Sequence, residues 1–250
     1  MTNTDREEKI LKILQDTPTV DVKTLTKALY ASEATIRRDL KKLESKGLII
    51  RTHGKAVNAR IYADKNQGIS FREHSASPIK RRLAESAVSI CANDGDVIIL
   101  DASTTAMHTI EYLNAKKDVI VITSGLKTAT LLSQTNVKFY CSGGLAINSS
   151  SSFVGQTAID TIKSFNADVC FVSCHGLSCN GFATDTSERE NDLRKAMLSQ
   201  SKRKVLLIDS SKIDTDCWHN LCSISEFDDV FCDKPLPEHV LKMVKNFHLV

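Results

Sequence analysis

Residues 32–56 read SEATIRRDLKKLESKGLIIRTHGKA, a helical pattern with two opposed faces followed by a short basic segment. Ile36, Leu40 and Leu43 recur at i, i+4 and i+7, the spacing of an apolar stripe that packs inward. Thr35, Arg37, Arg38, Lys41 and Lys42 fall largely off that stripe and turn donors and positive charge outward. Ser32 stands where an N-cap belongs, and Gly47 closes the helix. An apolar-basic, hairpin-like run from Leu48 to Arg51 then ends at His53-Gly54-Lys55. A cationic helix with a free outer face and a small basic wing suits the major groove of double-stranded DNA.

Taken alone, such a charge run is usually a solvated face. Its setting reverses that reading. Ile10, Leu11, Ile13 and Leu14 mark one amphipathic helix upstream. Val22, Leu25, Ala28 and Leu29 mark a second, and Tyr30-Ala31 turns into the third. Helix, helix, tight turn, basic helix and wing is the helix-turn-helix order. Charge agrees: residues 1–60 hold 13 Lys+Arg against 8 Asp+Glu, and the remaining 190 hold 20 against 22. A whole-chain net charge of +3 is thus a basic head on a slightly acidic body.

TIRRDLKKLESKGLIIRTHGKA resembles the DNA-binding signature of the DeoR family of bacterial sugar-operon regulators. Lys55 stands where the family's HGGA ending has its second glycine, which puts a charged side chain at the wing tip. Residues expected at the DNA are Ser32, Thr35, Arg37, Arg38, Lys41, Lys42, Arg51, His53 and Lys55. Neighbours on a helix point about 100° apart. One of Arg37 and Arg38 therefore reads a base edge while the other holds phosphate.

Length, at 250 residues, exceeds the usual single domain, and 42% hydrophobic content is ample for a core. No run approaches 18 consecutive apolar residues, and MTNTDREEK lacks the apolar stretch of a signal peptide, so neither a membrane span nor export is expected. Eight cysteines, at 91, 141, 170, 174, 179, 217, 222 and 232, form no C-x-x-C pair. They read as reduced structural thiols of a cytoplasmic protein, with Cys141, Cys170 and Cys232 as small hydrophobes in strand-like runs. No metal-ligand spacing or cofactor motif is present.

The expected organisation is a winged helix-turn-helix over 1–58, a linker over 59–78 and an α/β sensor domain over 79–250. A helix from Ile79 to Ala92 leads to the apolar run Val97–Asp101. Further runs cover Val119–Thr123, Val137–Cys141, Val169–Ser173, Val205–Asp209 and Val230–Asp233, mostly separated by helical stretches, with a C-terminal helix after Pro237. Continuous apolar strands alternating with helices indicate a mostly parallel sheet covered on both faces.

Ligands of such sheets bind beyond the strands' carboxyl ends. Those ends carry Asp101-Ala102-Ser103-Thr104-Thr105, Thr123-Ser124-Gly125, Ser142-Gly143-Gly144 and Asp209-Ser210-Ser211-Lys212. Hydroxyls and glycines before helices leave backbone N–H groups for an anion, aided by the helix dipole. Lys212 adds a point charge. Each element alone is more often a cap, a turn or a surface lysine; shared location is what suggests a pocket for a small phosphorylated ligand.

DASTTA, VITSGL, CSGG, FVSCHG, ERENDLRKAM and LLIDSSK are similar, in order, to the motifs of the DeoR-type sensor domain, which resembles ribose-5-phosphate isomerase and binds a sugar phosphate. The resemblance implies phosphate contacts from Ser103, Thr104, Thr105 and Lys212, and sugar contacts from Asp101, Ser124, Gly144 and Glu190. His175-Gly176 replaces the family's acidic residue before glycine, which alters the polar contact there. It also weighs against catalysis: proton abstraction beside a carbonyl needs a positioned carboxylate, and SCHGLSCNGFATD has none before Asp185. The expected protein is therefore a non-enzymatic, homo-oligomeric regulator of a carbohydrate operon, by default a repressor. HGKA, LDASTTA and FVSCHG resemble the l-fucose operon activator branch, which makes activation the alternative.

Overall fold

The computed structural model describes residues 3–17, 19–45, 48–52, 55–58 and 77–250. The chain divides into two compact units, Met1–Gln67 and Gly68–Val250.

Unit 1 contains α1 (Asn3–Asp16), β1 (Thr19–Asp21), α2 (Val22–Leu29), α3 (Glu33–Ser45), β2 (Ile49–Thr52) and β3 (Lys55–Asn58). Asp21 starts α2 by accepting the Thr24 N–H at 2.8 Å. Tyr30 ends it in the left-handed region, at φ +51°. Ser32 starts α3 the same way, its Oγ accepting the Thr35 N–H at 3.3 Å. Ile36, Leu40 and Leu43 pack with Ile10, Leu14, Leu25, Leu29 and Ile49 into one core. Ala28 is exposed instead, because it turns about 90° away from the Val22–Leu25–Leu29 stripe. The wing is larger than the sequence suggested: β1 joins the β2–β3 hairpin as a third strand, in the order β1-β3-β2. Gly47, His53, Gly54 and the linker residues 59–76 lie outside the described residues.

The first described element of unit 2 is α4 (Ser77–Cys91), which starts two residues inside the stretch expected as linker. Then come β4 (Val97–Leu100), α5 (Thr104–Met107), α6 (Thr109–Leu113), β5 (Ile120–Thr123), α7 (Leu126–Leu132) and β6 (Lys138–Cys141). A hairpin of β7 (Leu145–Ile147) and β8 (Ser152–Val154) precedes α8 (Gln156–Lys163) and β9 (Ala167–Val172). The rest comprises β10 (Gly176–Leu177), β11 (Phe182–Asp185), α9 (Glu188–Ser199), β12 (Ser201–Leu207), β13 (His219–Ser223), β14 (Asp229–Cys232), α10 (Glu238–Leu241) and β15 (Asn246–Leu249). The expected C-terminal helix is a single turn, and the chain ends in an edge strand instead. The two hairpin-like additions, β7–β8 and the β10-β11-β13 sheet, carry no continuous apolar run that would announce them.

The main sheet is wholly parallel, in the order β15-β14-β12-β9-β4-β5-β6. Alternate residues feed opposite faces. Ile98, Leu100, Val121, Phe171, Leu207 and Phe231 share one core with Leu83, Val88 and Ile110. Ile99, Ile122, Cys170, Val172, Leu206 and Val230 share the other with Ile162, Leu193 and Met197. Cys170 and Cys232 are buried as expected, but Cys141 is exposed because β6 is an edge strand. Among the described residues no helix is long and apolar enough to cross a membrane.

The order places β9 beside β4. From β4 the chain steps outward through β5 to β6, returns to β9, and steps the other way through β12, β14 and β15. The β4/β9 boundary is therefore the topological switch point, where the loops leaving adjacent strands diverge and open a crevice.

Candidate functional site

On α3, Arg37, Arg38, Lys41 and Lys42 are exposed and Thr35 is half-buried. Their surroundings differ. Lys42 is drawn onto Glu7 of α1 at 2.9 Å, making it a strut between helices as much as an outward charge. Arg6 of α1 forks onto buried Asp39, reinforcing the same joint. Arg37 reaches Glu33 at 3.5 Å along its own helix. At ~100° per residue, Arg38 and Lys41 fall opposite Ile36 and Leu40, at the middle of the outward face. The Ser32 hydroxyl is engaged with Thr35, at 2.9 Å from its Oγ1. Lys55 opens β3 and is exposed, whereas the Arg51 side chain and His53 lie outside the described residues.

In unit 2 the ends of β4, β9 and β12 are joined by a chain of polar contacts. Asp101, after β4, accepts the Ser103 N–H on one oxygen and the Ser173 N–H on the other, at 3.0 and 3.4 Å. Ser173, after β9, accepts from Lys212 Nζ at 2.9 Å. Lys212 lies 3.9 Å from Asp209, which follows β12 and caps the turn carrying that lysine. On the other flank, Arg194 of α9 donates through Nε to Asp101 at 2.9 Å and through a terminal nitrogen to Asp185 at 2.7 Å. His175 Nδ1 meets the same Asp185 oxygen at 2.8 Å. Burial alone would raise the Asp185 carboxyl; the Arg194 charge and the His175 hydrogen bond outweigh it and hold it well below the usual range.

Asp101, Ala102, Ser124, Ser152, Phe153, Glu190, Leu193 and Arg194 line a small cleft. Three of the residues singled out from sequence, Asp101, Ser124 and Glu190, thus come together there. Glu190 is buried and accepts the Ser152 hydroxyl at 2.7 Å. Gly144, at φ +105°, passes so close to β8 that a Cβ would sit 2.7 Å from the Val154 carbonyl, whereas a Cβ on Gly143 would meet open space. Close backbone approach explains Gly144 without a ligand.

Two N–H groups of the expected backbone cradle are taken up locally. Ser103 and Gly125 N–H groups already donate to Asp101 and Thr123, and the Ser103 hydroxyl caps Ala106. α5 spans four residues and α7 seven, so little macrodipole accumulates. Positive charge at this edge comes from side chains. Thr104 accepts from Lys80 of α4 at 3.2 Å, and the Thr105 hydroxyl is buried without a partner among the described residues. Sequence reasoning passed over Arg194, Asp185, Ser152 and Lys80. Arg194 had a signal: it stands four residues after Glu190, on the same face of one helix.

Residues 6–60 match the model of the DeoR-like helix-turn-helix domain, and residues 75–234 that of the DeoR C terminal sensor domain. The L-fucose operon activator of Haemophilus influenzae is 30% identical over 237 residues, 95% of this chain and 94% of the relative. The HTH-type transcriptional repressor GlcR of Bacillus subtilis is 30% identical over 231 residues, 92% of this chain and 88% of the relative. Partial structural likeness extends to ribose 5-phosphate isomerase A of Methanocaldococcus jannaschii, with TM-score 0.42, 19% identity and coverage of 56% of this chain and 55% of that one. It extends also to eIF2B delta of Chaetomium thermophilum, with TM-score 0.48, 13% identity and coverage of 80% and 63%. With both domain models matched in order, the chain belongs to the DeoR family of sugar-responsive, DNA-binding transcriptional regulators.

Proposed function

We propose that this protein represses a carbohydrate catabolic operon, and that a phosphorylated sugar in the strand-end cleft of unit 2 changes its operator affinity. The convergence of Asp101, Glu190, Arg194 and Lys212 on the β4/β9 switch point carries the sensor half of this reading. Asp101, Ser124 and Glu190, with Arg194 and Ser152, contact the sugar; Lys212, with the Ser103–Thr105 segment, holds the phosphate. His175, fixed by Asp185, contributes a polar contact from the loop after β9. If no phosphorylated sugar raises the melting temperature of the protein, the sensor assignment fails. A true effector at about 100 times its Kd adds roughly 2.7 kcal/mol.

For the head, Arg38 at the centre of the outward face reads the base edge, with Lys41, Arg37, Lys42, Arg51, His53 and Lys55 on the phosphates. Ser32 and Thr35 order the start of the helix. Self-association pairs two heads on a repeated operator in the cytoplasm. Arg38→Ala is expected to remove about 1–3 kcal/mol of discrimination between operator and unrelated DNA, measured by competition binding. Lys41→Ala weakens both alike and lowers the salt slope by about 1. Equal loss of specificity in the two variants would reject this division of roles.

The His175–Asp185 pair favours a second reading, a sugar-phosphate isomerase with histidine as base. Against it, both oxygens of Asp185 are engaged, one by the Thr186 and Ser187 N–H groups and the other by Arg194 and His175. Asp101 is similarly committed. Neither Asp101 nor Asp185 keeps an oxygen free to shuttle a proton, and we assign neither a catalytic role. Turnover of ribose 5-phosphate or glucosamine 6-phosphate by the purified protein would reverse this.

A further inference from the structure

We propose that the β6 edge and the β7–β8 hairpin form the seam of a homodimer, and that the hairpin carries cleft occupancy to that seam; the second half rests on the sensor reading above and names the surface through which it acts. From Phe139 to Ile159 the chain holds no Asp, Glu, Lys, Arg, His or Pro, although 25% of the whole chain is charged. That run covers most of β6, all of β7 and β8 and the start of α8, and it turns apolar groups into solvent. Leu145 is 59% exposed and Tyr140 42%, and Cys141 and Ala146 are exposed beside them. Strand pairing explains Leu145. It stands opposite Val154 and so faces the same side of the hairpin. Val154 is fully buried, but β7 lies one strand further out, so Leu145 overhangs the body of the unit.

Among the described residues, neither β6 nor β7 pairs with a further strand on its outer side. Open edges are ordinarily blunted by charge or proline, because they otherwise pair with another chain. The opposite edge follows that rule: β15 carries His248 and is preceded by Lys242 and Lys245. Past Lys138, the β6–β7 side has none of these devices. An uncharged strip selects its partner. Near a twofold axis each side chain meets its own image, so charges repel there while Leu, Ala, Tyr and Ser do not. A second copy of the same strip, antiparallel and edge to edge, gives the free N–H and C=O groups of both copies a partner. Two copies also supply the two heads that a repeated operator requires.

The seam and the cleft share β8, whose Ser152 and Phe153 line the cleft. The Ser152 hydroxyl donates to Glu190 at 2.7 Å, and the Phe153 N–H to the Ser124 carbonyl at 2.7 Å. The Leu126 N–H ties the hairpin turn through the Ser151 carbonyl at 2.8 Å. A sugar that engages Ser152, Glu190 or Ser124 exchanges these bonds and shifts the strand beside the seam. Association and effector binding are then linked, and the linkage is reciprocal.

Sedimentation of the full chain over a dilution series tests the seam, and the wild type is expected to dimerise. Leu145→Glu and Tyr140→Glu change exposed side chains, where the fold loses little, and each should weaken dimerisation about 10-fold or more. Trp218→Glu, at an exposed apolar residue outside the seam, should stay within about twofold of wild type. Mixing Leu145→Glu with Leu145→Lys should restore association that neither variant shows alone, a result that loss of folding could not produce. A monomeric wild type, or Leu145→Glu and Tyr140→Glu dimers as tight as wild type, overturns the seam. For the linkage, a panel of pentose and hexose monophosphates is titrated by calorimetry. Any ester that binds should change the dimer Kd about threefold or more. An unchanged Kd with the ester bound overturns the coupling and leaves the seam standing. If the wild type binds none of the esters, the sensor reading falls and the coupling with it, while the dilution series still decides the seam.

Discussion

Replacing Arg194 with leucine is expected to destabilise unit 2 by about 3–5 kcal/mol, the cost of breaking a buried ion pair from one side. Arg194 is 5% exposed, and its guanidinium bridges Asp101 and Asp185, at 1% and 0%. Removing it strands two carboxylates in the interior. The defect should depend on pH, and its sign follows from the carboxylates. In the wild type, Asp185 is held well below its unfolded value, so its contribution is fully present above roughly pH 4 and is lost only in stronger acid. Without the guanidinium, burial dominates at Asp185 and its folded value rises above the unfolded one. The stability gap between variant and wild type should then widen from pH 5 to pH 8, as unfolding releases protons the folded state retains. Urea melts at both pH values would show it. A gap of under about 1 kcal/mol at pH 8 would mean the cluster is not the keystone of this edge.

Leu40→Ala should be nearly as costly and confined to the other unit. Leu40 is 1% exposed in the centre of the unit 1 core, where truncation of a leucine costs about 2–5 kcal/mol. A domain of this size holds only a few kcal/mol in reserve, since stability runs at about 0.05–0.15 kcal/mol per residue. The head is expected to unfold or fray, abolishing operator binding, while the binding of sugar phosphate by unit 2 stays within about twofold of wild type. Simultaneous loss of both activities would show that the two units do not fold independently.

Which parts were legible beforehand follows from how local their causes are. The stripe of Ile36, Leu40 and Leu43 is a property of 3.6-residue periodicity, and the Ser32 cap of one side chain three residues from its donor. The runs at 97–101, 119–123 and 169–173 announce buried parallel strands because both of their faces must be apolar. Edge elements gave weaker signals. β15 and β7–β8 are short and half-exposed, and the β10-β11-β13 sheet buries polar Thr184 and Asp185 beside apolar groups, so their sequences mix polar and apolar residues without a clean period. Part of the anion cradle was illegible for a related reason: whether the Ser103 and Gly125 N–H groups are free depends on where Asp101 and Thr123 turn their side chains.

By itself, then, the chain's order of residues determined that a basic helix-turn-helix precedes an α/β body, and which residues sit after each strand. Strand order was beyond it, because parallel pairing is made between segments dozens of residues apart and leaves no periodic trace. Only the folded sheet sets β9 against β4 and so makes neighbours of Asp101 and Ser173, 72 positions apart. Only there does α9 swing Arg194 between Asp101 and Asp185, and α4 carry Lys80 to Thr104. A charge becomes a site when long-range packing removes water from around it and brings its partners within hydrogen-bond reach.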